Sequence, residues 1–167
     1  KRPRWCRIPR EDRSEVQDTI ISKSRYISGL QCPKLLWYIF NDRSAFPPVD
    51  PGTQAVFDQG HEVGILAQKL FAEGITVEGD IPFDEVTSRS LDLLKHRKPL
   101  FEPGFRSGPV IARADILRPV GSDEWDLVEV KSSTRVADPS LADVAFQHYC
   151  YTGAGIRILS PRDSGRM

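Results

Sequence analysis

Excess charge is the first thing missing from this chain. Its 23 basic and 23 acidic residues cancel to a formal net charge of zero, so there is no global electrostatic signature of a nucleic-acid binder. Any such role must rest on a local patch. Cysteine is scarce too: Cys6, Cys32 and Cys150 are an odd number at no shared spacing, which argues against a disulfide framework and for a reducing, cytoplasmic setting. No apolar run approaches the ~18 residues of a membrane span, and no apolar signal segment follows the basic start. No membrane partner is expected. Internal repeats and low-complexity segments are also missing, and 167 residues leave room for one domain with a real hydrophobic core.

The chain starts without methionine and closes on "SPRDSGRM", so it reads as cut at both ends. Residues 1–20 are charged and poor in apolar side chains, which predicts a poorly ordered tail; its basic cluster beside Trp5 could touch a phosphate backbone, but a solvated tail is the favoured reading. Residues 21–159 read as one domain, and 160–167 as a second tail.

Within the domain, "SKSRYISGLQCPKLLWYIF" predicts two short helices with Cys32 at their joint and Ser24 as the N-cap. Gln54 to Phe71 reads as a helix ending at Gly74, with an apolar arc of Val56, Val63, Leu66, Ala67, Leu70 and Phe71 turned to the core. "ITVEG" follows as a short strand and "FDEVTSRSLDLLKHR" as an amphipathic helix stopped by Pro99. Three β-like runs come next, "LFEPGF", "VIARADILR" and "WDLVEVKSS", then a helix from Pro139 to Thr152 and a last strand, "GIRIL".

A Glu-x-Lys pair inside "WDLVEVKSST" raises the first chemical question, because the two-residue period of a strand turns Glu129 and Lys131 to one face. A hairpin symmetric about Ser122 would set Asp115 directly opposite Glu129. Like charges so placed repel, and a divalent cation between them, Mg²⁺ or Mn²⁺ for hard oxygen donors, would relieve it. A slipped register, or two carboxylates exposed on an edge, would relieve it as well. Lys131 would then sit at the rim, to steady charge on a phosphate, to bridge to Glu129 or to extend into water. His61 falls at the edge of its helix's apolar arc between Gly60 and Gly64, within reach of a sheet-surface site or merely half exposed. Gln147 and Tyr151, four residues apart, share a helix face; they could orient the lysine, contact a nucleic-acid strand, or close the rim of the core.

In this order Gly60-His61, Arg113-Ala114-Asp115, Glu129-Val130-Lys131 and Gln147 with Tyr151 resemble the PD-(D/E)XK nuclease superfamily, and more narrowly its RecB-like branch. That branch includes the CRISPR-associated RecB-like exonucleases. The likeness covers Ile21 to about Leu159. It extends to the Cys-Pro of Cys32-Pro33 and, through "FDQGHEVGILAQKLF" and "DVAFQHY", to the N-terminal part of a family of uncharacterised bacterial proteins. The resemblance implies an α/β fold with a restriction-endonuclease-like αβββαβ core, a mixed central sheet flanked by helices and an N-terminal helical lead-in. It also implies a metal-dependent deoxyribonuclease acting on DNA. His61, Asp115, Glu129 and the Val130 carbonyl would ligate Mg²⁺ or Mn²⁺; Asp115, Glu129 and Lys131 would be catalytic; Gln147, Tyr151 and Arg113 would meet the DNA. For Arg113, a phosphate contact and a salt bridge to Asp115 stand equally open. In such families the Cys-Pro cysteine often joins three C-terminal cysteines around an iron–sulfur cluster, but no such triplet follows Tyr151 here. Cys32 would then be a ligand without partners, and a cluster would belong to a longer chain. A binding module of the same fold without turnover, and a structural interaction domain, are the rival readings.

Overall fold

The computed structural model describes residues 19–132 and 138–159. The expected tail at 1–20 lies outside the described residues up to residue 18, and the one at 160–167 lies outside them entirely. Within them the protein is a mixed α/β structure of five helices and two small mixed sheets.

In the first sheet β1 (Ile21–Ser22) runs parallel to β5 (Val110–Arg113), which pairs antiparallel with β4 (Gly104–Ser107). In the second, β2 (Ile75–Thr76) lies parallel to β3 (Leu100–Phe101), followed antiparallel by β6 (Ile116–Val120) and β7 (Glu124–Val128). One mixed central sheet was expected, and the reason for two is a bend shared by a pair of strands. Phe101 faces Ile116 on one side of it and Gly104 faces Arg113 on the other, so the register crosses the bend with no residue inserted. Between them Glu102 N donates to Asp115 O, and Ala114 N to Pro103 O, both at 3.1 Å. Glu102 turns the chain with a left-handed φ of 56°, and Pro103 has no N–H to continue a ladder. The run "VIARADILR" therefore divides, its first half in one sheet and its second in the other.

The β6–β7 hairpin keeps the register symmetric about Ser122, with Ile116 facing Val128 and Val120 facing Glu124. Arg118 and Asp126 face each other and form an ion pair at 2.6 Å. Arg97 secures the turn end, donating to the carbonyls of Val120, Gly121 and Glu124 and lying 4.5 Å over the Trp125 ring.

Five helices surround the sheets: α1 (Lys23–Gln31), α2 (Pro33–Asn41), α3 (Pro51–Gln68), α4 (Phe83–Leu94) and α5 (Asp138–Gly153). Cys32 is the joint between α1 and α2, as expected, but the α1 cap is Ser22, whose hydroxyl accepts from Arg25 N. Asp50 caps α3 by accepting from Gly52 N and Thr53 N, with Pro51 in the first turn, where its missing N–H costs nothing. The core gathers Leu100, Phe105, Leu117, Trp125, Phe146 and Tyr151, each worth about 1.5–3 kcal/mol if a large apolar side chain is fully buried. Tyr26 stacks on Phe146 at 4.7 Å and fastens α1 to α5.

Two expectations need correction. The apolar arc of α3 does not face the core: Val56 and Leu66 are exposed, and no residue of the helix is fully buried. Its half-buried side, which includes Val63, Gly64, Ala67 and Gln68, borders a cavity instead. "GIRIL" forms only an isolated parallel bridge, Ile158 to Trp125, because the chain meets β7 at a single position. Cys32 and Cys150 are free; burial pushes the Cys150 thiol up to about 11. Among the described residues no helix is long and apolar enough to cross a membrane.

Candidate functional site

The bend between the two sheets is where the chemistry collects. Asp115 follows Ala114 on one strand and Glu102 precedes Pro103 on the other, so one change of direction brings two carboxylates to the same place. Glu129 and Lys131 arrive just past the end of β7. The Asp115 carboxylate accepts the Val130 N–H at 2.7 Å, which brings it beside the Glu129–Val130–Lys131 segment, while the paired register itself ends at Ile116 facing Val128.

Glu129 is nearly enclosed, its side chain 7 % exposed. Lys23 donates to both carboxylate oxygens, at 3.1 and 3.3 Å. Lys131 donates to one of them at 2.7 Å and Gln147 to the other at 2.6 Å. Burial alone would raise the Glu129 pKa, but the Lys23 charge with the Lys131 and Gln147 hydrogen bonds holds it below the ordinary glutamate value. Asp115 goes the other way. Burial and then the Glu129 charge raise it, against smaller opposing effects of the Val130 N–H and the two lysines. Glu102 is raised as well, by burial and then by Asp115. Lys131 also donates to Asp143 at 2.7 Å. Burial opposes its charge, yet Asp143 and Glu129 on either side raise it well above the usual lysine value.

Helix α5 supplies the frame for these groups. Asp143, Gln147 and Tyr151 recur every four residues on one face, and they reach Lys131, Glu129 and the bend in turn. The Tyr151 hydroxyl donates to Pro103 O at 2.6 Å and accepts from Ala114 N at 2.9 Å. This corrects one expectation. Tyr151 is 0 % exposed and Gln147 1 %, so neither lines a DNA path: one locks the bend and the other orients Glu129.

A cavity of about 590 Å³ opens beside the bend. His61 and Gly64 of α3 line one wall, and Glu102, Arg113, Asp115 and Val130 line the other. Arg113 forms no ion pair with Asp115. Its guanidinium lies against Gly79, where a Cβ would stand 2.8 Å from Nη1. Cys32 is exposed, stands in the α1–α2 joint and does not line the cavity.

Sequence reasoning missed Lys23, Glu102 and Asp143. Lys23 lies 106 residues from Glu129, and no local pattern announces such a pairing. Glu102 sits beside a proline in what reads as a strand. Asp143 carried a usable signal, since it stands one helical turn before Gln147.

In kind, the donors suit a hard divalent cation: Glu102 and Asp115 share one cavity wall with a backbone segment at Val130 alongside. In arrangement they do not close around one. Among the described residues no group of three His, Cys, Asp or Glu side chains could hold a metal ion. His61 shares the cavity with Asp115, whereas Glu129 is turned to its lysines. No protein-family model, curated protein or solved structure matches the chain.

Proposed function

We propose that the protein is a divalent-cation-dependent nuclease that hydrolyses phosphodiester bonds of DNA at the bend. The observation that carries this reading is the pairing of Asp115 with the Glu129–Val130–Lys131 segment at the wall of a cavity. A bound Mg²⁺ or Mn²⁺ would supply a polarised water and shield the phosphate charge, with Asp115, Glu129, Val130 and His61 as the residues to hold it. Lys131, kept charged between two carboxylates, would stabilise charge growing on the phosphate. Gln147 keeps the Glu129 carboxylate in orientation, and Asp143 does the same for the Lys131 ammonium. Arg113, which forms no salt bridge among the described residues, would meet a phosphate oxygen of the strand.

A nucleic-acid-binding module without turnover is the second reading. It is favoured by the full set of donors on Glu129. A cleavage assay on labelled strands, run beside Mn²⁺-dependent melting, separates the two. Under the nuclease reading wild type cleaves with Mn²⁺ and stops with EDTA. Lys131→Ala loses cleavage but keeps the Mn²⁺-dependent rise in melting temperature, and Asp115→Ala loses both. Wild type that neither cleaves nor melts higher with Mn²⁺ would leave the binding module as the better account.

A further inference from the structure

A net charge of zero conceals one place where positive charge has no counterpart. A second cavity, of about 730 Å³, opens beside the first turn of α1 and shares no lining residue with the one at the bend. Arg25 and Arg43 line it together with Ser24 and Ser28, and no acidic residue does. Neither arginine forms an ion pair among the described residues. We propose that this cavity binds a nucleotide, its phosphate on the two guanidinium groups and its base against the apolar part of the wall; the proposal does not rest on the nuclease reading.

The donors are positioned and mostly unspent. Arg25 gives one Nη1 hydrogen to Ile20 O at 2.6 Å and lies 4.6 Å over the Phe40 ring, so its guanidinium is held in place while four of its five N–H donors stay open. Arg43 donates Nε–H to Ile39 O at 3.3 Å, which leaves both of its Nη groups for a ligand. Asp42, its neighbour in the chain, accepts from the Ser44 hydroxyl instead, at 2.6 Å. Ser24 and Ser28 stand one turn apart on α1 and share a face. The Ser28 hydroxyl has no hydrogen-bond partner among the described residues, and the Ser24 hydroxyl meets only that of Ser22, at 3.1 Å. Gly29 keeps the two helices close, since a Cβ there would stand 2.9 Å from Leu36 Cδ2. A planar guanidinium fork matches phosphate oxygens two at a time. The same wall carries Ile39, Ile111 and Phe46, whose ring is 38 % exposed. A bare phosphate has no use for that surface, whereas a base stacks on an aromatic ring. The volume also falls among sites for small organic ligands, at about 300–1,000 Å³.

A free mononucleotide and the end of a single strand share this chemistry, and calorimetric titration of the full chain separates them. The probes are deoxyadenosine monophosphate, inorganic phosphate, deoxyadenosine and a deoxyadenosine tetranucleotide, all in EDTA so that no divalent ion takes part. The monophosphate should bind wild type more tightly than either phosphate or deoxyadenosine. Arg43→Gln, which removes a charge-assisted contact, should weaken it roughly tenfold. Its melting temperature should stay that of wild type, because Arg43 is an exposed side chain holding one long bond. Arg43→Lys keeps the charge without the fork and should restore only part of the affinity. Arg89→Gln, taken from an arginine that pairs with Glu78 and Glu85 outside the cavity, should bind as wild type does. Tighter binding of the tetranucleotide than of the monophosphate identifies a strand end as the ligand, and equal binding a free nucleotide. If the monophosphate binds no better than inorganic phosphate, or if Arg43→Gln binds it as tightly as wild type, the proposal is overturned. Nucleotide binding of this pattern in a protein that never cleaves DNA would leave the pocket standing and remove the nuclease reading alone.

Discussion

Replacing Tyr151 by Phe tests whether the bend is pinned by a single hydroxyl. The ring is fully buried and meets Phe105 edge-on at 4.7 Å, a contact that Phe would keep. What disappears is the oxygen that donates to Pro103 O at 2.6 Å and accepts from Ala114 N at 2.9 Å. Neither backbone group is left wholly unpaired, because Ala114 N still reaches Pro103 O at 3.1 Å. The cost is therefore set by the net worth of two buried hydrogen bonds rather than by two orphaned groups, which gives about 1–2 kcal/mol. In a domain of this size that corresponds to roughly 2–8 °C in Tm, at about 2–4 °C per kcal/mol. Urea denaturation is the assay of choice, since a lower midpoint with an unchanged slope marks lost stability without a change in the surface exposed on unfolding. A loss under about 0.5 kcal/mol, the range of unremarkable surface substitutions, would show that Glu102 and Pro103 bend the chain unaided.

Asp115→Asn should melt higher than wild type near neutral pH, with a gain that fades in acid. Asp115 titrates higher in the folded chain than in the unfolded one, so its contribution is fully present below the unfolded pKa and is lost as pH rises through the folded value. Asparagine can still accept the Val130 N–H and has no charge to lose; an equal gain at every pH would contradict the assignment. Gly79→Ala should push the Arg113 guanidinium off its seat, since the new Cβ would stand 2.8 Å from Nη1. DNA affinity should fall, and the slope of log affinity against log salt should shrink by about one if one phosphate contact is lost. An unchanged slope would remove Arg113 from the interface.

What was legible in the sequence was mostly local. The register of the hairpin follows from alternating strands and a turn rich in small polar residues, and it is present; Glu129 and Lys131 do touch, but beyond the end of β7, where a strand's two-residue period no longer applies. The α1–α2 joint at Cys32 was readable from one proline. The bend was not, because it depends on Glu102 taking a left-handed φ usually left to glycine or asparagine, and no pattern of apolar residues encodes that choice. The fate of α3 was hidden for another reason. An apolar arc tells that a helix has something to cover, but not whether the described chain provides it. Lys23 shows the same limit, since its partner is fixed by how β1 docks, and tertiary docking leaves no trace in local spacing.

The four-residue rhythm of Asp143, Gln147 and Tyr151 makes α5 a ruler. At 1.5 Å of rise per residue the three side chains span about 12 Å along one rigid rod, with the lysine at one end and the bend at the other. Such a rod has no way to shift one contact alone. Sliding it by a residue would rotate every side chain by about 100° and carry all three off their partners at once. The seating of the whole helix therefore sets the alignment of Lys131, Glu129 and the bend as a single quantity. A one-residue insertion in the turn that follows it, at residues 154–155, should cost the site more than the loss of any one of the three side chains.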